Sequence, residues 1–231
     1  MTDDLMRIET GIPGLDEMME GGFPFPSTIL LAGGTGTGKT TFTLQFLFAG
    51  AKKGEQGIFF TTFSEPTQWM LRFTSRFSFV EREMLGKEVK YVELGSQLKE
   101  MDNTEDASQR IINLIEEKIT EIMPQRIVID PITVLERRLA GDYREFLYQL
   151  STSMKNWQTV TLLTGEVLPQ EPYPLEVAYC ADGVLILTNE EQEDGRRKYL
   201  EILKLRGTEH MTGKHSFDIS KDGVSVQAGL R

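Results

Sequence analysis

The stretch Gly33-Gly34-Thr35-Gly36-Thr37-Gly38-Lys39-Thr40 decides how the rest of this 231-residue chain is read. It fits the phosphate-loop pattern G-x-x-x-x-G-K-[ST], which requires a strand before it and a helix after it. Both are present. Thr28-Ile29-Leu30-Leu31 is an apolar, strand-like run, and Thr41 to Ala51 reads as an amphipathic helix carrying Phe42, Leu44, Phe46, Leu47 and Ala51. Glycines at 33, 34, 36 and 38 let the backbone turn tightly. Successive amides from Gly33 to Thr41 then face inward and, with the helix N-terminus, cradle a polyphosphate. In that arrangement Lys39 reaches the β- and γ-phosphates and the Thr40 hydroxyl holds Mg²⁺.

The bulk composition narrows the classes further. At this length one domain spanning 1–231 buries roughly 70–75% of its unfolded surface without staples. Cys180 is the single cysteine, no charged-then-apolar leader opens the sequence, and no apolar run approaches a membrane helix. These features lead to the expectation of a cytoplasmic protein with no membrane insertion. The net charge of −10 disfavours nucleic acid and anionic lipid over most of the surface. His210 and His215 form no metal-ligand pattern with the cysteine.

Outward from the loop, strands and helices alternate. A segment at 1–10 reads as irregular, and Thr10 to Met19 as a turn and a short helix from Pro13, closed by Gly21-Gly22. Strands are expected at Gly57–Phe63, Val89–Leu94, Arg126–Asp130 and Val160–Thr164. Helices are expected from Ser64 through Phe73, around Phe79–Leu85, at Ala107–Ile122 and at about Tyr143–Trp157, with a polar loop at Gly95–Glu105. This order implies an α/β fold with a mainly parallel sheet flanked by helices. The tail, about 183–231, changes character: Gly183–Thr188, Lys198–Leu205, His215–Ile219 and Val224–Val226 read as a C-terminal antiparallel extension at one sheet edge.

Carboxylates at strand ends carry the chemistry in such folds, because ligands bind beyond those ends. Asp130 closes Ile127-Val128-Ile129 and is the candidate for a second Mg²⁺-holding group; the alternative is a helix-initiating Asp before Pro131. Glu65 follows the next strand, where it can orient and deprotonate an attacking water or sit solvated in a helix's first turn. Lys204 and Arg206 share a strand face by period two and suit an anion, a solvated sheet face being the plain alternative.

Taken together, the chain resembles the KaiC-like branch of the RecA superfamily. The matching segments are Thr10 to Asp16, the phosphate loop, Gly57 to Glu65, Arg126 to Asp130 and especially Leu200 to His210. The resemblance implies a RecA-like P-loop core that binds ATP with Mg²⁺ and hydrolyses it slowly, as a head-to-tail homo-oligomer, usually a hexamer, with nucleotide at subunit interfaces. It implies that Lys204 and Arg206 reach a neighbour's γ-phosphate, with Thr208 and His210 lining the same face. An unidentified protein partner would read the nucleotide state. Two departures stand out: Ser64-Glu65 replaces paired glutamates, and Thr212 replaces a lysine, with Lys214 nearby. The alternatives are a nucleotide-sensing assembly module with little hydrolysis, akin to motility accessory proteins, and a DNA recombination or repair paralogue. Against the latter, Gly165–Asp182, expected to form channel-facing loops, lacks Lys and Arg and carries Glu166, Glu171, Glu176 and Asp182.

Overall fold

A computed structural model describes residues 5–62, 67–95, 107–167, 171–193 and 195–227. Strand β3 (Ser27–Gly33) lies in the middle of a nine-stranded sheet and is buried along its whole length. A strand covered on both faces has no polar side to show, which is why its sequence does not alternate. Around it the chain adds β4 (Gly57–Thr61), β5 (Val89–Glu93), β6 (Arg126–Asp130), β7 (Val160–Glu166) and β8 (Gly183–Gln192), all running parallel to it. Then β9 (Gly195–Leu205), β10 (Lys214–Ser220) and β11 (Gly223–Val226) run antiparallel from β8 outward. The order is β11-β10-β9-β8-β3-β7-β6-β4-β5. The parallel core with an antiparallel C-terminal edge is the architecture expected from the sequence. A small separate ribbon pairs β1 (Arg7–Ile8) with β2 (Phe23–Pro24).

Helix α1 (Lys39–Ala51) follows the loop but is not amphipathic. Phe42, Leu44, Phe46, Leu47 and Phe48 are all buried, so both sides of the helix are covered. One cover is the sheet; the other is formed by the N-terminal turn and β11. Gln45, itself buried, joins them, donating to the Gly11 and Val224 carbonyls and accepting from the Val224 N–H. Gly14, at φ +81°, sits where a Cβ would lie 2.0 Å from the Val226 carbonyl, and this close approach explains the glycine in Thr10-Gly11-Ile12-Pro13-Gly14-Leu15-Asp16. That segment clamps the last strand onto the loop's helix. A 3-10 turn at Asp16–Met19 replaces the expected short helix from Pro13.

The opposite face of the sheet carries α3 (Ala107–Ile122), which follows α2 (Thr67–Thr74), and then α4 (Val134–Leu139), α5 (Tyr143–Asn156) and α6 (Leu175–Cys180). Ile111, Ile112, Ile115 and Ile119 form the buried stripe of α3, and the helix stops before Met123, whose φ of 49° ends it. Helices α4 and α6 are not expected from the sequence, and α6 occupies part of the stretch expected as channel-facing loop. Each has six residues, under two turns, too short for a period of 3.6 to register. The expected helix at Phe79–Leu85 is a 3-10 turn at Arg82–Met84. Among the described residues no helix is long and apolar enough to cross a membrane.

Candidate functional site

The site grows from the C-terminal ends of β3, β6 and β7. Gly38 caps the start of α1 at φ +105°, a left-handed conformation that favours glycine, and packs against the Ile219 Cδ1 of β10. Thr37 Oγ1 donates to the Gly34 carbonyl at 2.8 Å and braces the loop from inside. Lys39 is 9% exposed, and its Nζ donates to the carbonyls of Gly33 and Gly34 at 2.8 and 3.0 Å. Burial pushes its ammonium below the usual lysine range, and the carboxylates of Glu166 and Asp130 oppose that fall.

Thr40 Oγ1 donates to Asp130 Oδ2 at 2.8 Å, and the Thr164 hydroxyl donates to the other carboxylate oxygen. Burial raises the Asp130 carboxyl, while these two hydroxyls and Lys39 hold it down. Asp130 therefore faces the loop rather than starting the next helix; the first N–H of α4, from Val134, bonds to the Pro131 carbonyl instead. A cleft of about 500 Å³ opens over these groups, lined by Thr35, Gly36, Thr41, Glu166, Tyr91 and Ile219 among others. A hydroxyl and a carboxylate in contact, both hard oxygen donors beside a phosphate loop, fit Mg²⁺.

The four C-terminal candidates gather elsewhere. Lys204 Nζ donates to the Ala181 carbonyl at 2.7 Å, at the C-terminal end of α6. Burial lowers its ammonium, and the neighbouring Arg206 lowers it further. Arg206, one residue past β9, has Nη1 3.0 Å from Asp182 Oδ1. Thr208 accepts from Arg7 Nη1 at 3.0 Å, and His210 Nδ1 lies 3.4 Å from the Thr208 carbonyl. The Asp182 backbone bonds to Thr28 at the start of β3, whereas the phosphate loop leaves from the end of that strand. Along five strand residues the separation is about 16 Å, beyond the reach of an arginine side chain. Within one chain these residues do not join the cleft.

Three residues of the cleft region have no site role assigned from sequence, Glu166 being read there only as one of the acids of Gly165–Asp182. Glu166 ends β7 opposite Gly33. Lys198 of β9 donates to the Gly36 carbonyl at 2.9 Å and to Asn189 Oδ1 at 3.0 Å. Ile219 closes the cleft beside Gly38. None has a local motif; each arrives through strand pairing. Thr212 contributes its carbonyl to His215, and Lys214 pairs with Glu190. Glu65 and Ser64 lie outside the described residues, as does most of the polar segment from Gly95 to Glu105.

A phosphate loop at the end of a central parallel strand, with an acidic strand end beside it and an antiparallel flank, defines a nucleotide-binding P-loop ATPase of RecA-like fold. The family described as "ATPase: KaiC" matches residues 8–231, and the chain belongs to it. Similar proteins include the circadian clock oscillator protein KaiC of Parathermosynechococcus lividus, 32% identical, with 94% of this chain and 42% of that protein covered. Another is UPF0273 protein MK0039 of Methanopyrus kandleri, 31% identical, with 95% and 91% covered. The chain thus spans less than half of the clock protein but nearly all of the archaeal one. The crystal structure of the KaiC-like protein PH0186 from Pyrococcus horikoshii superposes with a TM-score of 0.83 at 33% identity, covering 97% of this chain and 100% of that one.

Proposed function

We propose that this protein is a Mg²⁺-dependent ATPase that turns over slowly in a head-to-tail homo-oligomer, a hexamer by family resemblance, with its nucleotide state read by a protein partner. The observation that carries the reading is the separation of Lys39 and Arg206 to opposite ends of the strands. An arginine that cannot serve its own loop can serve a neighbour's when subunits stack head to tail, and a trans arginine is worth about 10³–10⁵ in rate. Bound Mg²⁺ would take Thr40 and Asp130 as its protein partners and supply charge neutralisation at the phosphates. Lys39 holds the β- and γ-phosphates, and the loop amides orient them. Glu65 stays the candidate for positioning the attacking water. A relative that serves as a clock oscillator supports a switching rather than a metabolic role.

Phosphate release from purified protein, with Lys39→Ala and Arg206→Ala beside it and sedimentation of each, tests the reading. An oligomeric wild type that hydrolyses ATP, with both variants at least about a hundredfold slower, is expected. An active monomer would remove the trans arrangement. Tight ATP binding without turnover would favour the nucleotide-sensing module, which the Ser64-Glu65 departure also suggests.

A further inference from the structure

Resting on the ATPase reading, we propose that Glu166 is a second catalytic carboxylate, facing the γ-phosphate end of the loop and hydrogen-bonding the attacking water. Three observations converge on it. The register of β3 and β7 sets Glu166 opposite Gly33, the first glycine of the loop and the residue whose carbonyl receives the Lys39 ammonium. Its backbone is fixed there: the Glu166 N–H donates to Thr133 Oγ1 at 3.2 Å, and the Val167 N–H donates to the Gly33 carbonyl at 3.3 Å. And it lines the nucleotide cleft at an exposed strand end, while Asp130, the other carboxylate lining that cleft among the described residues, has both oxygens taken by threonine hydroxyls.

The division of labour follows from these surroundings. Asp130 is committed to Thr40 and Thr164, so it cannot also turn toward a water in front of the γ-phosphate. Glu166 can. Its charge, like that of Asp130, counters the fall that burial imposes on the Lys39 ammonium. In the step proposed, the water oxygen bonds to the γ-phosphorus as the bond to the bridging oxygen breaks. ADP leaves with that electron pair, and the water's proton passes to the Glu166 carboxylate and then to solvent. A residue that merely balanced the Lys39 charge would influence binding of ATP and ADP alike and leave the chemical step untouched.

The test compares wild type with Glu166→Gln, an isosteric change at an exposed position, in ATP and ADP titrations and in single-turnover hydrolysis. The expected result is hydrolysis slowed by about 10²-fold or more, with ATP bound at least as tightly and its preference over ADP increased. Hydrolysis within threefold of an active wild type would overturn the assignment, as would a loss explained by weaker ATP binding. A wild type that binds ATP and releases no phosphate would instead defeat the ATPase reading, and this catalytic role with it.

Discussion

Arg206 Nη1 lies 3.0 Å from Asp182 Oδ1 at the foot of β8, while the Lys39 ammonium sits beyond the opposite end of the neighbouring strand, β3. If the two act on one nucleotide, they come from different subunits. Mixing inactive Lys39→Ala and Arg206→Ala proteins therefore regenerates sites pairing an intact loop with an intact arginine. With random one-to-one assembly, a site needs two independent halves, so about a quarter of wild-type phosphate release returns. Activity no greater than the sum of the separate variants, under conditions where subunits exchange, would refute the arrangement.

Asp130→Asn separates the metal role from a structural one. Burial raises the carboxyl of Asp130, so its charged form costs stability at neutral pH, where a neutral amide of the same shape does not. The variant should unfold at an equal or higher urea concentration than wild type at pH 7, yet hydrolyse ATP at least about a hundredfold more slowly and lose the Mg²⁺ dependence of ATP binding. A destabilised variant that kept its Mg²⁺ response would make Asp130 a structural residue.

Arg126 shows what a sequence conceals. In the primary structure it is a charge opening a strand; in the fold its side chain is 1% exposed, paired with Glu55 and donating to the carbonyls of Glu9 and Phe46, with its guanidinium 4.5 Å from the Phe46 ring. Arg126→Met keeps much of the volume but leaves a carboxylate and two carbonyls without their donor. Glu55 keeps 23% exposure and can turn to water, so the loss is chiefly that of the donor to the carbonyls, about 1–3 kcal/mol, measurable as a lower midpoint in urea. A change below about 1 kcal/mol would mean water replaces the guanidinium.

The parts of the fold that were legible owe it to local signals. Ala107–Ile122 and Arg126–Asp130 have their expected bounds, because a helical apolar stripe ending ahead of Pro124 and a short β-branched run ending in Asp130 are each readable within one segment. The loop was legible for the same reason. What was not legible depends on distant pairing. Whether Lys198 is a solvated charge or a contact to Gly36 follows from the β8–β9 hairpin returning it to the top of β3. Glu166 reads as one acid among several in a loop, because the seven-residue register of β3 and β7 is invisible in sequence. Helix α1 reads as amphipathic in sequence because its second cover comes from residues at both ends of the chain.

Lys198 offers a test of that long-range contact. Its ammonium holds the crown of the phosphate loop through the Gly36 carbonyl, so Lys198→Met should weaken ATP and ADP binding about three- to tenfold, the worth of one exposed charged hydrogen bond. Melting should hardly change, since the hydrogen bonds of this half-buried side chain are exposed, and Lys198→Arg should recover part of the affinity. Equal affinities in all three proteins would show that the loop keeps its shape unaided.

Asp16 gives the stability a predictable pH dependence. Its Oδ1 accepts the Thr10 N–H at 2.8 Å, tying off the N-terminal turn that covers α1, and burial raises its carboxyl above the usual aspartate value despite that bond. The sign follows from linkage. The folded state binds the proton more tightly than the unfolded chain, whose value is about 3.9. The group's contribution is therefore complete below that pH and is lost as pH rises through the raised folded value. Asp16→Asn retains an oxygen for Thr10 and does not titrate. Urea unfolding at pH 4, 5.5 and 7 should show wild type losing stability relative to the variant as pH rises, with the difference levelling off once Asp16 is fully ionised. A constant difference would show that the Thr10 amide offsets burial at this carboxylate, and one that shrinks toward neutrality that it outweighs it.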